Sequence, residues 1–186
     1  MDFEELSECE LNEIIEYGKW RGTIIFGSTL VAAVLSALMG IFIQGIIFWI
    51  CLCALRRYAG GYHADTQKLC FVISFFVLLL SLAWIKSANN IGVSKIIMQT
   101  IMLLIILFLA PVENKNHILD IVERQRYGKK TRNIAMILYI TYVFLYLTDK
   151  DKFAIPIEVS FLVVVISLVT GILKNTKEKI NVDKRF

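Results

Sequence analysis

The side chains in this sequence whose types and spacing best suit chemistry are His63 and Cys70, within the stretch RRYAGGYHADTQKLC at positions 56–70. A cysteine thiolate is a nucleophile, and a histidine within hydrogen-bonding reach can take up the thiol proton and return it. Long apolar runs flank the stretch on both sides. The pair therefore indicates a thiol nucleophile with a histidine base, held in a short polar patch between apolar elements.

The spacing of seven residues limits the backbone that can bring the two groups together. On one continuous helix their α-carbons would stand about 10.5 Å apart along the axis, too far for a hydrogen bond between the side chains. Gly60 and Gly61 can adopt backbone angles closed to other residues and let the chain fold back. Asp65 or Thr66 can then cap a helix that continues through the cysteine. We therefore predict a helix that begins after the histidine and carries the cysteine near its first turn.

Positive charge surrounds the cysteine in this arrangement. The helix dipole and Lys68 favour a thiolate in the first turn, and Arg56 and Arg57 add to the positive field or bind a carboxylate or carbonyl. Less specific interpretations stay open: a structural cysteine, a solvated histidine, and arginines that only anchor a membrane boundary. The histidine, Asp65 and the cysteine could supply three metal ligands, but at no familiar zinc spacing, so we predict neither a metal nor a cofactor.

The elements that must position this patch are membrane-spanning helices. The chain of 186 residues is 57% hydrophobic, and positions 23–55 hold no charged residue. Apolar runs beyond about 18 residues indicate membrane spans, and in lipid an isolated strand would leave its backbone groups unpaired. Six apolar segments can be read along the chain: 24–39, 41–55, 70–85, 96–110, 133–148 and 157–173. We predict an all-α, polytopic membrane helical bundle of about six spans with an N-terminal amphipathic surface helix.

Positions 23–55 could form one span or two. The run is long for one helix and tight for two. Gly40, Gln44 and Gly45 could form a minimal turn, which favours two spans over one. Cys51 and Cys53 lie within the run, where core packing is the expected role, and the four cysteines of the chain show no disulfide pattern.

The chain is expected to form a single membrane domain. The first 16 residues hold seven acids and no base, which argues against a cleavable signal peptide. The acidic face can dock on a basic protein or peptide surface or simply be solvated.

We expect a short interfacial helix near 118–122 within a polar loop from 111 to 132, and a loosely ordered tail. The parts are an amphipathic cytoplasmic helix at 1–22, a six-span bundle at 23–173 with a catalytic loop at 56–70, and a basic cytoplasmic tail at 174–186.

The basic residues are distributed unevenly between the two sides of such a bundle. With six spans, 16 Lys and Arg residues fall on the side of the termini and four on the other. The positive-inside rule then places both termini and positions 56–70 in the cytoplasm. Because the bases lie where topology puts them, the net charge of +4 does not indicate nucleic-acid binding.

The run RRYAGGYHADTQKLC, followed by an apolar span and then LAPVENKNHIL, resembles the accessory gene regulator B (AgrB) family of membrane cysteine endopeptidases. The resemblance covers nearly the whole chain in length and order of spans. By that similarity His63 matches the catalytic histidine and Cys70 the nucleophile. Arg56 and Gly61 fall on positions that the family pattern features, and APVENKN at 110–116 matches its second signature.

The resemblance implies a function in quorum sensing. Such an enzyme removes the C-terminal tail of a short, AgrD-like propeptide and, through an acyl-enzyme thioester, promotes cyclisation to a thiolactone or a lactone. It also implies a multi-pass protein in the cell membrane of a Gram-positive bacterium, in contact with lipid and forming a homodimer. The third catalytic group is not fixed by the motifs, and Asp65, Glu113 and Asn114 are its candidates.

Two functions of other classes stay open. A peptide exporter would bury ionisable residues or broken helices near the bilayer midplane, whereas the predicted spans hold no charged residue except Glu158, near an end. A non-catalytic membrane scaffold would leave Cys70 buried and unreactive.

Overall fold

The computed structural model describes residues 8–62, 66–88, 93–112 and 120–183, whose backbone forms six α-helices. In chain order the helices are α1 (Glu8–Leu38), α2 (Phe42–Ala59), α3 (Gln67–Ser87), α4 (Val93–Leu109), α5 (Ile121–Leu147) and α6 (Asp151–Asp183). Each covers one of the predicted apolar segments to within a residue. The prediction of an all-α helical membrane bundle is confirmed.

The helices differ in how well they match the thickness of a membrane. Within the described part of the chain, three apolar stretches are long enough to cross one: Phe42–Ala59, Lys68–Ser87 and Asp151–Lys177. Shorter apolar helical stretches are Gly22–Leu38 and Ser94–Leu109. Large apolar side chains face outward, including Phe26 at 72% and Phe108 at 84% exposure. An apolar exterior of this kind is the surface that lipid covers, so the chain is a membrane protein.

A tight turn divides positions 23–55 into two helices, as the glycines suggested. Gly40 has a φ of 74°, which favours glycine, and the Ile41 N–H donates to the Ser36 carbonyl at 2.9 Å. Gly45 lies directly against the Ser36 side chain and leaves no room for a Cβ there. Since a side chain at this position would push α1 and α2 apart, the turn and the close packing of the two helices depend on each other.

The core lies around α2 and α6. α2 packs most extensively against α6 and also contacts α1 and α5, while α4, α5 and α6 pack against one another. Side chains at 0% exposure form the centre of the bundle: Phe48, Leu55, Leu82, Ile106, Tyr142, Phe161 and Leu168. Burial of these groups against one another orders the helices that carry the polar patch.

Two segments expected to be irregular are helical instead. α5 begins at Ile121, so most of the predicted polar loop from 111 to 132 is a helix; Ile118 and Leu119 lie outside the described residues. The Asp120 side chain accepts from the Ile121 N–H at 2.7 Å, and Glu123 completes a capping box that satisfies the first N–H groups. The tail from Lys174 continues α6 to Asp183, because its residues include neither glycine nor proline to end the helix.

The predicted N-terminal helix is also continuous with the element that follows it. From Glu8 onward it forms the first part of α1 and runs into the first apolar segment without a break near residue 22. Because successive helices alternate in direction, one end of the bundle gathers the start of α1, the α2–α3 connection, the α4–α5 connection and the end of α6. We call this the site end, since positions 56–70 lie there.

Candidate active site

Cys70 lies in the first turn of α3, where the sequence predicted it. Thr66 is the N-cap residue, and its Oγ1 accepts a hydrogen bond from the Leu69 N–H at 3.3 Å. The Cys70 N–H donates to the Thr66 carbonyl at 3.0 Å. Of the two caps that the sequence offered, Thr66 is observed to cap the helix, and the half-buried thiol lies at the N-terminal end of α3.

The paired glycines form a sharp turn that packs against the second signature segment. Gly60 has a φ of 72° and Gly61 a φ of 120°, both in the region that favours glycine. The Val112 N–H donates to the Ala59 carbonyl at 3.0 Å, and a Cβ on Gly60 would collide with the Val112 carbonyl oxygen. The two sequence motifs, separated by two helices in the chain, are therefore in direct contact.

The backbone just before the histidine is fastened to α6. The Tyr62 N–H donates to the Ser167 carbonyl at 2.9 Å and lies 3.2 Å from the Ser167 Oγ. A Cβ on Gly171 would lie 2.8 Å from the Gly61 carbonyl carbon. Sequence reasoning missed Ser167 and Gly171, although two small residues four apart on a membrane helix are a recognisable signal of close backbone approach.

Arg56 connects this fixed backbone to the cysteine. Its Nη2 donates to the Tyr62 carbonyl at 2.7 Å, and its charge lies near the thiols of both Cys70 and Cys53. Arg56 is half-buried, so water screens this interaction less than at a fully exposed site. The side chain thus contacts the backbone of the residue that precedes the histidine.

Four of the predicted site residues lie outside the described residues: His63, Asp65, Glu113 and Asn114. Of the predicted set, Arg56, Gly61 and Cys70 are described, and they lie at the site end. Cys51 is buried in the core as expected, whereas Cys53 is exposed on the outer surface of α2, and both are free thiols like Cys70. Within the described ranges, no group of three His, Cys, Asp or Glu side chains could hold a metal ion.

A basic and aromatic surface adjoins the site. The ring centroids of Tyr58 and of Tyr127 on α5 are 5.8 Å apart. Two cationic groups lie over the Tyr58 ring: Lys130 Nζ is 5.0 Å and Arg57 Cζ is 5.7 Å from the centroid of that ring. We call Arg57, Tyr58, Tyr127 and Lys130 the basic–aromatic surface. Cations stacked on rings keep their charge available to a partner, so this surface suits an acidic segment.

The comparisons with known proteins agree with the two motifs. The family model described as accessory gene regulator B matches residues 3–173. The accessory gene regulator protein B of Staphylococcus saprophyticus is 33% identical over 129 residues, 67% of this chain and 65% of that protein. A putative AgrB-like protein 2 of Clostridium perfringens is 23% identical over 164 residues, 82% of this chain and 77% of the relative.

The relatives differ in how much of their length is matched. A second Clostridium perfringens protein, a putative AgrB-like protein, is 23% identical over 138 residues, 70% of this chain and 64% of its own length. No solved structure matches this chain. Since the family model spans nearly the whole sequence, including both packed motifs, the chain belongs to the accessory gene regulator B family.

Proposed function

We propose that this chain is a membrane cysteine endopeptidase that matures a quorum-sensing propeptide. Cys70 is the nucleophile and His63 the general base and acid. The enzyme removes the C-terminal tail of a short AgrD-like propeptide and promotes cyclisation of the remainder to a thiolactone or lactone. Family membership supports this reaction class, and the residues at the site end support the chemistry.

The observation that carries the proposal is the position of Arg56. It hydrogen-bonds the carbonyl of Tyr62, the residue bonded to His63, and its charge lies near the thiols of both Cys70 and Cys53. One side chain thus connects the backbone next to the proposed base with the proposed nucleophile. Of these two thiols, Cys70 lies in the first turn of α3, whereas Cys53 is exposed on the outer surface of α2.

The proposed reaction uses Cys70 as nucleophile and His63 as base and acid in two successive acyl transfers. The Cys70 sulfur attacks the carbonyl at the junction of signal and tail while His63 accepts the thiol proton. His63 then donates that proton to the departing amine, the C–N bond breaks, and an acyl-enzyme thioester remains. The propeptide's own thiol attacks the thioester, His63 takes its proton, and the proton returns to the Cys70 sulfur as it leaves. An attacking serine hydroxyl would give a lactone.

The surfaces around the site suit contact with both the propeptide and the membrane. The basic–aromatic surface lies beside the glycine turn and would hold an acidic segment of the propeptide. Bases on the first half of α5 are exposed at the same end, which supports a cytoplasmic site end with both termini in the cytoplasm. Lipid covers the outer apolar faces. A tail-bearing propeptide would meet Cys70 at the inner membrane surface.

The decisive experiment is co-expression of the chain with its propeptide, followed by mass spectrometry of the processed peptide. Cys70→Ala and His63→Ala are expected to abolish tail removal, because each removes one half of the nucleophile–base pair. Cys53→Ala is the matched control, since this free cysteine is exposed on the outside of α2, and it should process normally. Tail removal by Cys70→Ala at the wild-type rate would overturn the proposal, and export of uncleaved peptide would instead favour a transporter.

A homodimer could place the base of one subunit beside the nucleophile of the other. Co-expression of Cys70→Ala with His63→Ala distinguishes shared from separate sites, because only a shared site regains one intact pair. We expect both variants to associate on co-purification. Recovery of about half or less of the wild-type processing would indicate sharing, and no recovery despite association would place both groups in one subunit.

A further inference from the structure

Two buried polar side chains and one half-buried carboxylate lie at the end of the bundle away from Cys70. Gln99 on α4 and Tyr142 on α5 are both 0% exposed, and Glu158 lies on the neighbouring helix α6. Both polar atoms of Gln99, the Tyr142 hydroxyl and the Glu158 Oε2 are buried without a hydrogen-bond partner. We call these three residues the polar cluster. None of them takes part in the proposed reaction.

The three residues lie at one level of the bundle. Each is between one and two turns from the end of its helix opposite the site end. A hydrogen bond of 2.8 Å between Thr100 Oγ1 and Tyr139 Oη joins α4 to α5 at this level. Glu158 interacts electrostatically with Tyr142. The polar cluster thus consists of three side chains with unpartnered polar atoms at one level on three helices that pack against one another.

The chemistry of the unpartnered atoms selects the occupant. Gln99 Oε1 and Glu158 Oε2 accept hydrogen bonds, whereas Gln99 Nε2 donates and the Tyr142 hydroxyl can do either. A bare metal cation would satisfy the oxygens and leave the amide nitrogen without a partner. Water both donates and accepts, and buried water typically makes about three hydrogen bonds to such groups.

We propose that the polar cluster is a water-binding site, separated from Cys70 by a dry apolar layer. The half-buried Glu158 and Lys95 connect it to the surface at the end opposite the site end, and their charges interact. The apolar layer consists of Ile106, Val164 and Leu168, each at most 1% exposed. Bound water would solvate the Glu158 carboxylate among membrane helices, while the layer keeps that water from a thioester on Cys70.

Radiolytic hydroxyl-radical footprinting of the full-length protein in lipid nanodiscs tests the proposal. Radicals formed from bound water oxidise the side chains next to them, and mass spectrometry locates the added oxygen. We expect Tyr142 to be oxidised several-fold faster than Ile106 and Leu168, after correction for the reactivity of each residue type. These controls are matched, since all three side chains are 0% exposed. Equal protection of Tyr142 and the two controls would overturn the proposal.

A variant shows whether the cluster itself holds the water. Gln99→Leu combined with Glu158→Leu should reduce Tyr142 oxidation to the level of the apolar layer, whereas Ile106→Val, two turns along the same face of α4, should leave it unchanged. Fast Tyr142 oxidation that persists in a folded double variant would show that the water is held elsewhere and would contradict the proposal. If the double variant does not fold, the wild-type comparison alone decides.

Discussion

Arg56 is the residue on which the geometry next to the nucleophile depends most directly. Its guanidinium hydrogen-bonds the Tyr62 carbonyl at 2.7 Å, and its charge lies near Cys70. A substitution that changes the shape of this side chain but keeps its charge should therefore separate its role in positioning the backbone from its electrostatic role. We expect Arg56→Lys to slow tail removal about ten- to a hundredfold, since a charged hydrogen bond contributes roughly 1.5–3 kcal/mol. The loss should appear in the rate at saturating propeptide, measured in proteoliposomes, more than in the apparent affinity.

The neighbouring arginine provides the control for this prediction. Arg57 is exposed and stacks over Tyr58 with its Cζ 5.7 Å from the ring centroid, within the surface proposed to hold the propeptide. Arg57→Lys keeps the charge but loses the stacking, so its effect should fall on the apparent affinity and not on the rate at saturating propeptide. We expect Arg57→Lys to process at close to the wild-type rate when the propeptide is saturating. Similar losses in both variants would show that Arg56 acts as one charge among several, and that its contact with Tyr62 does not position the base.

At the scale of elements, the contact of the glycine turn with α6 leaves no space for a side chain. A Cβ on Gly171 would lie 2.8 Å from the Gly61 carbonyl carbon and 3.0 Å from the Tyr62 nitrogen. We expect Gly171→Ala to push the turn away from α6, at a cost of about 1–3 kcal/mol, and to lengthen the hydrogen bond from Tyr62 to Ser167. Processing should fall strongly while thermal unfolding of the purified protein shifts only modestly.

A glycine in open space serves as the matched comparison. Gly27 on α1 has no atom within 4 Å of a Cβ built on it. Gly27→Ala should leave processing unchanged and favour the helix slightly, because alanine has the higher helix propensity. A Gly171→Ala variant that processes as well as Gly27→Ala would mean that the turn need not stay against α6 during the reaction.

The elements that depend on local chemistry were predictable from the sequence, and those that depend on distant contacts were not. The six helices follow from the lengths of the apolar segments. The turn at Gly40 follows from the conformational freedom of glycine, and the cap at Thr66 follows from a side-chain oxygen that accepts from nearby backbone N–H groups. Tyr62 and Ser167 are 105 residues apart, and no local pattern pairs them. The capping box at Asp120 and Glu123 was readable in principle, but the density of charge around it suggested a loop.

At the scale of the whole molecule, the basic residues indicate which way the bundle faces. The site end carries exposed basic residues on the first half of α5, among them Arg126, Lys129 and Arg132. Arg57, near the end of α2, is another exposed basic residue at this end. The opposite end carries few basic residues, and Glu158 and the acidic residues near it offset their positive charge. The positive-inside rule therefore predicts that the site end faces the cytoplasm, where a ribosomally made propeptide would meet it.

Cysteine labelling in intact cells tests this orientation. In a chain whose four natural cysteines are replaced by alanine, Lys150→Cys at the opposite end should react with a membrane-impermeant maleimide added outside. Lys68→Cys, also exposed but two residues before Cys70, should react only after the membrane is permeabilised. Both substitutions remove one surface charge, so neither biases topology more than the other. The reverse pattern would place Cys70 outside the cell, beyond the reach of a cytoplasmic propeptide, and would contradict the proposed proteolysis together with the orientation.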